Sequence, residues 1–462
     1  MLVHEHPWVE PEALCALLRA RSTVCVWLDS ALPDARLGRH SYVCADPFLT
    51  LESRDGRVGL GRRRLFGDPL AVFGEHLRRF RLPHREGLPP FQGGAVACLA
   101  YELGHHLERV PTAERDPLPF PDLIAAFFDL VFAFDQLSRR LYVLSTGLPE
   151  SDPAARQQRA EVRLRQAREW LGEVRPLAPV EGCRWPIAIR SDFTREAFER
   201  AIQRVVDYIH AGDVFQANLA QRFHVACPAG LDPFTLYRRL RTVNPAPFAA
   251  LLLWGERAIA SASPERFLKL EDGRVETRPI KGTRPRARED VEDRRLAREL
   301  VESEKDRAEN VMIVDLLRND LSKVCRDGSV EVPELCTLES FAHVHHLVST
   351  VRGVLRPGCD AVDLLRAAFP GGSITGAPKI RAMEIIAELE PVRRGPYCGS
   401  IAWLGFSGWM DSSIVIRTLV MRRGQVQFHV GGGIVADSVP AAEYEETLAK
   451  AEGLLRALRG WR

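Results

Sequence analysis

The 462-residue sequence predicts an α+β fold, in which strands and helices occupy separate stretches of the chain. Three observations favour this class. Residues 1–145 consist of short β-type runs divided by turns, helical patterns concentrate in a few long stretches, and no internal repeat is present. A hydrophobic content of 46% and a charged content of 27% are ordinary for a globular protein with a large core. A repeating βαβ arrangement is therefore not expected.

The first region, residues 1–145, contains apolar runs of strand length. The clearest of these runs are Thr23–Leu28, Ser41–Cys44, Phe127–Phe134 and Leu141–Leu144. A connector, residues 146–188, has a different composition, because a charged helical pattern extends to Gly172 between two segments rich in proline and glycine, the second of them closing at Gly182. We therefore predict a boundary there, with a second region over residues 189–462.

The second region opens with a helix whose signals are complete. Thr194 is a suitable N-cap, and Gly212 would end the helix. Between them, five apolar side chains share one helical face: Phe198, Ile202, Val205, Val206 and Ile209.

Strands and further helices are predicted after this helix. The β-type runs are Val214–Val225, Ala249–Leu253, Ala258–Ala262, Phe267–Leu270, Val275–Ile280, Ser413–Met421 and Gln425–Val430. Two of the connections are hairpin turns, Asp272-Gly273 and Arg423-Gly424. We expect one long helix over 292–322, a helix that begins at Pro378 and a final helix from Pro440.

Charge and cysteine usage exclude several function classes. The net charge of +2 gives no field that would recruit nucleic acid or an anionic membrane. No apolar run approaches the roughly 18 residues of a membrane span, and the first residues lack the pattern of a signal peptide. The ten cysteines are scattered without a C-x-x-C pair, which favours reduced thiols and a cytoplasmic protein.

Lysine is rare in this chain, since only six of its 63 basic residues are lysine. Arginine stays protonated in proteins, whereas lysine becomes a nucleophile once its pKa is lowered. Lys281 is the most suggestive of the six because it follows a strand-like run within Pro279–Thr283. We expect it to be a candidate nucleophile.

Two predicted helices carry acidic faces. Glu302, Asp306 and Glu309 share a face of the long helix, and Glu443 and Glu446 share a face of the last helix. If the two faces meet across a cleft, a hard cation such as Mg²⁺ would relieve their repulsion. The alternative is that both faces are solvated, with nearby lysines as ion-pair partners.

Two glycine-rich segments are candidate anion sites. Gly371 and Gly376 have the spacing of a phosphate-binding loop, but Ala377-Pro378 replaces the Lys-Ser/Thr that such a loop requires. A carboxylate at the helix N-terminus remains compatible with this loop, as does a tight turn with no ligand. Gly431–Gly433 is open to the same two interpretations, close approach of a ligand or a β-bulge.

Taken together, these segments resemble the chorismate-utilising enzymes, which include the anthranilate, aminodeoxychorismate, isochorismate and salicylate synthases. The matching motifs are Gly212–Gln216, Ser263–Phe267, Pro279–Thr283, Lys305–Asp320, His346–Ser349, Gly371–Met383, Ile414–Arg417 and Glu446-Thr447, with Gln92–Gly94 and Tyr101-Glu102 in the first region. The resemblance implies a large core of two β-sheets in a sandwich flanked by helices.

Two positions separate the reactions of this family. The water-adding members carry a lysine base where this chain has Gln216, and a neutral amide cannot deprotonate water. Anthranilate synthases usually carry alanine where this chain has Lys281, whereas aminodeoxychorismate synthases carry lysine. The sequence therefore resembles the aminodeoxychorismate branch, which makes 4-amino-4-deoxychorismate for p-aminobenzoate and folate biosynthesis. Anthranilate synthase component I and a non-catalytic amino-acid-binding subunit are the alternatives.

The resemblance also implies roles for individual residues. The catalytic set is Lys281 as covalent nucleophile, Glu265 as general acid and His346 beside the leaving group, although His343 and His345 are close in sequence. The substrate-binding set is Tyr397, Arg417, Gly433, Ser373, Thr283 and Gly376. Mg²⁺ would be held by Glu309 and Glu446, with Asp306 and Glu443 acting through water.

The family implies two partners besides chorismate. Ammonia would come from a separate glutamine amidotransferase subunit, because this sequence contains no glutaminase Cys-His-Glu signature. A tryptophan pocket would have walls formed by Leu51, Glu52 and Ser53 and by Asn244, Pro245 and Phe248.

Overall fold

The computed structural model describes residues 1–180, 187–227, 231–341 and 344–459, so that part of the expected connector and His343 lie outside the described ranges. The α-helices in these ranges are α1 Pro11–Arg19, α2 Pro69–Arg79, α3 Pro153–Glu173, α4 Arg195–His210, α5 Pro233–Val243, α6 Asp290–Glu302, α7 Glu304–Ser322, α8 Ala361–Ala368, α9 Lys379–Leu389 and α10 Pro440–Arg459. Two short 3₁₀ segments are Tyr101–His106 and Gly372–Ile374.

The strands of the described ranges, in chain order, are β1 Leu2–His6, β2 Val24–Leu28, β3 His40–Ala45, β4 Leu49–Arg54, β5 Arg57–Leu60, β6 Arg63–Phe66, β7 Gly94–Leu99, β8 Leu123–Phe128, β9 Leu130–Asp135, β10 Arg140–Ser145, β11 Arg190–Ser191, β12 Gln216–Ala226, β13 Phe248–Trp254, β14 Arg257–Ser263, β15 Arg266–Glu271, β16 Arg274–Thr277, β17 Ile280–Pro285, β18 Glu331–Ser340, β19 Val344–Val354, β20 Gly376–Ala377, β21 Ser400–Gly405, β22 Met410–Ile414, β23 Thr418–Arg422 and β24 Gln425–Ile434.

These strands form two 12-stranded sheets. The first has the order β1-β10-β9-β3-β2-β13-β14-β23-β24-β12-β11, and β20 also pairs with β12. The second has the order β17-β19-β16-β15-β22-β21-β7-β8-β4-β5-β6, and β18 also pairs with β19. The first and second regions of the chain both contribute strands to each sheet.

The two sheets pack face to face and helices cover their outer faces. One apolar cluster joins side chains from both sheets, among them Val26 and Ala133 of the first and Val96 and Trp403 of the second. Other clusters pack α1, α3, α5 and α10 on the first sheet, and α2, α7, α8 and α9 on the second. The α+β prediction and the two-sheet sandwich are therefore confirmed.

Local patterning predicted the helix after Thr194 and both hairpin turns correctly. The Thr194 hydroxyl accepts a hydrogen bond from the amide of Ala197, and α4 follows it. Asp272-Gly273 and Arg423-Gly424 both have positive φ angles, as a type I′ hairpin turn requires.

Two predicted strands are wrong, because each run leaves one sheet and enters the other. The run Phe127–Phe134 is divided at the buried Asp129 into β8 and β9. The run Ser413–Met421 is divided at residues 415–417 into β22 and β23, and Arg417 has a φ of 51°. An apolar pattern shows that a segment is buried but does not reveal which neighbour it pairs with.

The predicted helix over 292–322 is also wrong, since it is divided at Ser303 into α6 and α7. Ser303 has an extended ψ of 106°, and its side chain accepts a hydrogen bond from the amide of Asp306, which makes it the N-cap of α7. The helix expected to begin at Pro378 begins one residue later, because Pro378 is its N-cap.

In the described part of the chain, no helix has the length and apolar character needed to span a membrane.

A buried ion pair fixes the glycine loop to the sheet. The guanidinium of Arg394 is 2.6 Å from the carboxylate of Glu390, and the side chains are 1% and 4% exposed. Arg394 also donates to the carbonyl oxygens of Asn218 and Ile374. Glu390 in turn accepts from the amide of Ala220. This pair therefore joins α9, β12 and the 3₁₀ turn at 372–374.

We predict that Glu390→Gln lowers the free energy of unfolding by about 3–5 kcal/mol, because it leaves Arg394 buried without a carboxylate. Glu256→Gln is the matched control, since its pair with Arg423 is 72% and 70% exposed. We expect a change of less than about 0.5 kcal/mol there. Urea denaturation measures both, and equal midpoints for the two variants would contradict a structural role of the buried pair.

Candidate active site

Lys281 lies in β17 at one end of the second sheet, where it pairs with Leu347 of β19. The next residue, Gly282, has a φ of 81°, and a Cβ placed there would lie 2.9 Å from the Cβ of Asp306. Glycine is therefore required at this position by both conformation and space. As a result, the strand that carries Lys281 passes directly against the acidic end of α7.

The Lys281 amine is half-buried and faces carboxylates from three different elements. Burial lowers the pKa of Lys281, and this effect outweighs the opposing influence of Glu309, Glu265 and Glu446. Lys450 lowers the pKa further by repulsion. The amine expected from the sequence thus sits among acidic groups and is easier to deprotonate than a free lysine.

Glu265 is a buried acid opposite Lys281. It lies between β14 and β15, and its carboxylate accepts a hydrogen bond of 2.8 Å from the hydroxyl of Ser373 in the glycine loop. Burial raises the pKa of Glu265 to about 7, although the Ser373 hydrogen bond and Lys281 oppose this rise. A carboxyl group in this state can hold a proton near neutral pH and donate it.

The two adjacent histidines of β19 have different surroundings. His346 is buried, and its Nδ1 is 2.8 Å from the hydroxyl of Thr283, two residues beyond Lys281. Burial lowers the pKa of His346 to about 4, with a further contribution from Arg417, so its imidazole is neutral at physiological pH. His345 instead contacts Ser340 and Asp293. Among the described histidines, His346 is therefore the one beside Lys281.

Acidic side chains of α7 and α10 face the same space. Burial raises the pKa of Glu309, and Asp306 and Glu443 raise it further. Burial also raises the pKa of Glu443, and Glu446 adds to this rise. A Cβ placed on Gly432 of β24 would lie 3.3 Å from Glu443 and 3.8 Å from Glu446. Glu443 of α10 is therefore close enough to influence Glu309 of α7 electrostatically.

The alternative to a bound cation was that the acidic faces are solvated and paired with nearby lysines. Part of the cluster fits this alternative. Lys450 lies 2.7 Å from Glu446, and the two side chains are 39% and 53% exposed. Burial raises the pKa of Glu446, but Lys450 brings it below its ordinary value. Glu302 does not join the cluster, because it belongs to α6 and is exposed.

The chemistry of this donor set fits Mg²⁺ better than a transition metal. Within the described ranges, no three His, Cys, Asp or Glu side chains converge closely enough to hold a metal ion by themselves. Mg²⁺ is usually bound by one or two carboxylates together with waters and substrate oxygens, so it does not need a protein cage. Glu309 and Glu446 are the residues that would hold it.

The structure describes the surroundings of three more of the predicted substrate-binding residues. The Tyr397 ring stacks on His429 with centroids 5.2 Å apart. Burial lowers the pKa of Arg417, which has no carboxylate partner among the described residues and can therefore bind a ligand carboxylate. Gly433 lies in a regular ladder opposite Asn218, which rules out the β-bulge.

Gly376 is also required by the packing of the backbone. A Cβ at Gly376 would lie 2.1 Å from the carbonyl oxygen of Gln216, and the residue has a φ of 144°. Glycine is needed here because β20 pairs tightly with β12. This contact explains Gly376 by backbone packing without a ligand.

The expected tryptophan pocket is not assembled as predicted. Leu51, Glu52 and Ser53 lie in β4 of the second sheet, where Glu52 pairs with Arg257 and accepts from Trp254. Asn244 and Pro245 follow α5.

A cavity of about 290 Å³ does lie beside Phe248, and Leu28 and Ser30 line it. The other five predicted residues, Leu51, Glu52, Ser53, Asn244 and Pro245, are not among its lining residues. Leu51, Glu52 and Ser53 lie outside this cavity because β4 pairs with β5 and β8 in the second sheet.

Sequence patterns did not reveal the role of Arg394, whose guanidinium lies 5.6 Å from the Tyr397 ring while it anchors the loop that carries Ser373. In the sequence, Arg394 is one arginine in the segment Pro391–Tyr397, which has no regular hydrophobic periodicity to indicate burial. Only the fold shows that this side chain is buried.

Comparison with known proteins agrees with this geometry. A family model described as chorismate binding enzyme matches residues 27–456. The crystal structure of anthranilate synthase component I from Streptococcus pneumoniae TIGR4 superposes with a TM-score of 0.80 at 31% identity, covering 92% of this chain and 94% of that chain.

Two curated relatives cover nearly the whole chain. Anthranilate synthase component 1 of Thermus thermophilus is 44% identical over 423 residues, which are 88% of this chain and 89% of the relative. Aminodeoxychorismate synthase component 1 of Escherichia coli is 43% identical over 437 residues, which are 93% of this chain and 92% of the relative. These matches and the assembled site show that the chain belongs to the chorismate binding enzyme family.

Proposed function

We propose that this protein converts chorismate and ammonia into 4-amino-4-deoxychorismate, as an aminodeoxychorismate synthase component I. The observation that carries the proposal is the half-buried amine of Lys281 among Glu265, Glu309 and Glu446. Sequence identity does not separate anthranilate synthase from aminodeoxychorismate synthase activity, since the two relatives with these names are 44% and 43% identical to this chain. A nucleophilic lysine at this position favours the amination that retains the enolpyruvyl group.

Each step of the reaction uses a side chain of this site. Arg417 and Tyr397 bind one carboxylate of chorismate beside the main chain of Gly433. Glu265 donates a proton to the C4 hydroxyl, which leaves as water, while the neutral Lys281 amine attacks C2 and the ring double bond shifts. Ammonia then forms a bond to C4, and the C2–N bond to Lys281 breaks. Chorismate and ammonia are thereby converted to 4-amino-4-deoxychorismate and water.

Mg²⁺ would be held by Glu309 and Glu446, with Asp306 and Glu443 acting through water, and when bound it would neutralise a carboxylate of chorismate. The acidic surroundings support this proposal, because Asp306 and Glu443 add to burial in raising the pKa of Glu309. Ammonia would be supplied by a separate glutamine amidotransferase subunit.

Product analysis tests the proposed reaction directly. With chorismate, Mg²⁺ and free ammonium, we expect an aminated product that keeps its enolpyruvyl group, together with no release of pyruvate. Chromatography with mass detection identifies the product, and a lactate dehydrogenase assay measures pyruvate. Stoichiometric pyruvate with a fluorescent aromatic amine would show that the protein is an anthranilate synthase, the activity of the Thermus thermophilus relative.

The pH dependence of kcat/KM tests the general acid. Glu265 acts only when protonated, so activity should fall as pH rises through about 7, the pKa to which burial raises it. Ser373→Ala removes a hydrogen bond that favours the charged form. The falling limb should then move up by about one pH unit, because such a bond contributes about 1.5 kcal/mol.

Ser138→Ala, in a surface turn, is the control for Ser373→Ala and should leave the profile unchanged. A falling limb that stays in place in Ser373→Ala would exclude Glu265 as the group responsible for it.

The magnesium requirement tests the carboxylate cluster. Glu309→Gln removes a charge that faces Lys281 and Asp306. We expect the Mg²⁺ concentration for half-maximal activity to rise at least about tenfold, because the ion would lose a direct ligand. Glu302→Gln is the matched control on the neighbouring helix α6 and should not change it. An equal Mg²⁺ requirement in both variants would place the metal elsewhere.

A further inference from the structure

A buried histidine that the proposed reaction does not use lies against the ring of Tyr397. His429 belongs to β24 and is 4% exposed. Its imidazole and the Tyr397 ring have centroids 5.2 Å apart and planes that differ by 13°, which is an offset-stacked arrangement. Because Tyr397 is expected to bind a carboxylate of chorismate, this contact bears on how the substrate is held.

The two rings contact each other through their faces. Among the described residues, nothing forms a hydrogen bond with Nε2 of His429, so this nitrogen does not hold Tyr397. Burial lowers the pKa of His429 well below its ordinary value, and the guanidinium groups of Arg222 and Arg394 lower it further. The imidazole therefore contacts Tyr397 as a neutral, flat ring.

The strand pairing fixes the position of His429. It lies opposite Arg222 of β12, whose guanidinium donates to Oε1 of Gln427 at 2.8 Å and pairs with Asp192. Gly433, which is expected to border the substrate carboxylate, is four residues further along β24, or about 13 Å at 3.3 Å per residue. His429 is therefore placed to act through Tyr397, and not on the carboxylate itself.

The hydroxyl end of Tyr397 has a separate partner near the catalytic acid. Burial raises the pKa of Tyr397, and a hydrogen bond between its side chain and the Cys398 thiol adds to this rise. Burial also raises the pKa of Cys398 to about 12, and the charge of Glu265 contributes to the increase. The Tyr397 hydroxyl thus lies in the electrostatic neighbourhood of Glu265, while His429 supports the face of the ring.

We propose that His429 is a positioning residue for chorismate binding, because its stacked ring holds Tyr397 in the orientation in which the hydroxyl meets a substrate carboxylate. This inference rests on the proposed function. A side chain that is already held in one orientation loses less rotational freedom when a ligand binds, so more of the interaction energy appears as affinity. Without the stacked imidazole, binding of chorismate would have to order the Tyr397 ring.

His429→Leu removes the flat surface, whereas His429→Phe keeps it. We expect His429→Leu to raise the KM for chorismate about fivefold, the effect of losing one aromatic contact, and to change kcat by less than about twofold. His429→Phe should keep the KM within about twofold. It should also unfold at an equal or higher urea concentration, because it removes a buried nitrogen that has no partner. Steady-state kinetics at saturating ammonium and urea denaturation measure these effects.

A double-mutant cycle with Tyr397→Phe separates positioning from a general loss of structure. Tyr397→Phe keeps the ring but lacks the hydroxyl, so adding His429→Leu to it should raise the KM for chorismate by less than about twofold more. Phe428→Leu is the matched control, because Phe428 stacks on Phe223 with the same centroid distance of 5.2 Å. Phe428 points to the opposite face of β24, so this variant should lower stability and leave the KM unchanged.

Three results would overturn the assignment. They are an unchanged KM in His429→Leu, an equal rise in His429→Phe, and a rise of the same size with and without the Tyr397 hydroxyl. Both candidate activities bind chorismate, so the proposed function fails on a different measurement, the release of pyruvate by the unmodified protein.

Discussion

The site depends on the burial of one amine among several carboxylates. Burial lowers the pKa of Lys281 and raises that of Glu265, so the two ionisation equilibria move toward each other. Burial therefore favours the neutral amine and the protonated acid, which are the forms that the proposed reaction uses. Glu309 and Glu446 oppose the change at Lys281, and their net negative charge is the reason a cation is expected beside them.

The sandwich brings these groups together from distant parts of the chain. Lys281 and His346 come from paired strands of the second sheet, whereas Gly433 and Asn218 come from paired strands of the first. Helices α7 and α10 add the acidic faces. The ion pair of Arg394 with Glu390 holds the glycine loop between the sheets, so the hydroxyl that contacts Glu265 depends on a charge buried well away from the reacting atoms.

Sequence patterns predicted the elements with local signals and the residues with unusual chemistry. The helix after Thr194 and the two hairpin turns were predictable because caps and positive φ angles act within a few residues. Lys281 stood out because its residue type is rare here. The break at Ser303 and the sheet change at Arg417 were not predictable, since each depends on partners far along the chain. The pocket placed at Leu51, Glu52 and Ser53 failed for the same reason.

Mass spectrometry of the intact protein tests the central claim, that the Lys281 amine forms a bond to chorismate. The protein is mixed with chorismate and Mg²⁺ without ammonia and quenched in acid at a series of early times. Our account predicts a mass increase of chorismate less one water, located on Lys281 by peptide mapping and absent from Lys281→Ala. Unmodified protein at every quench time, in a preparation that still forms 4-amino-4-deoxychorismate when ammonium is added, would contradict it.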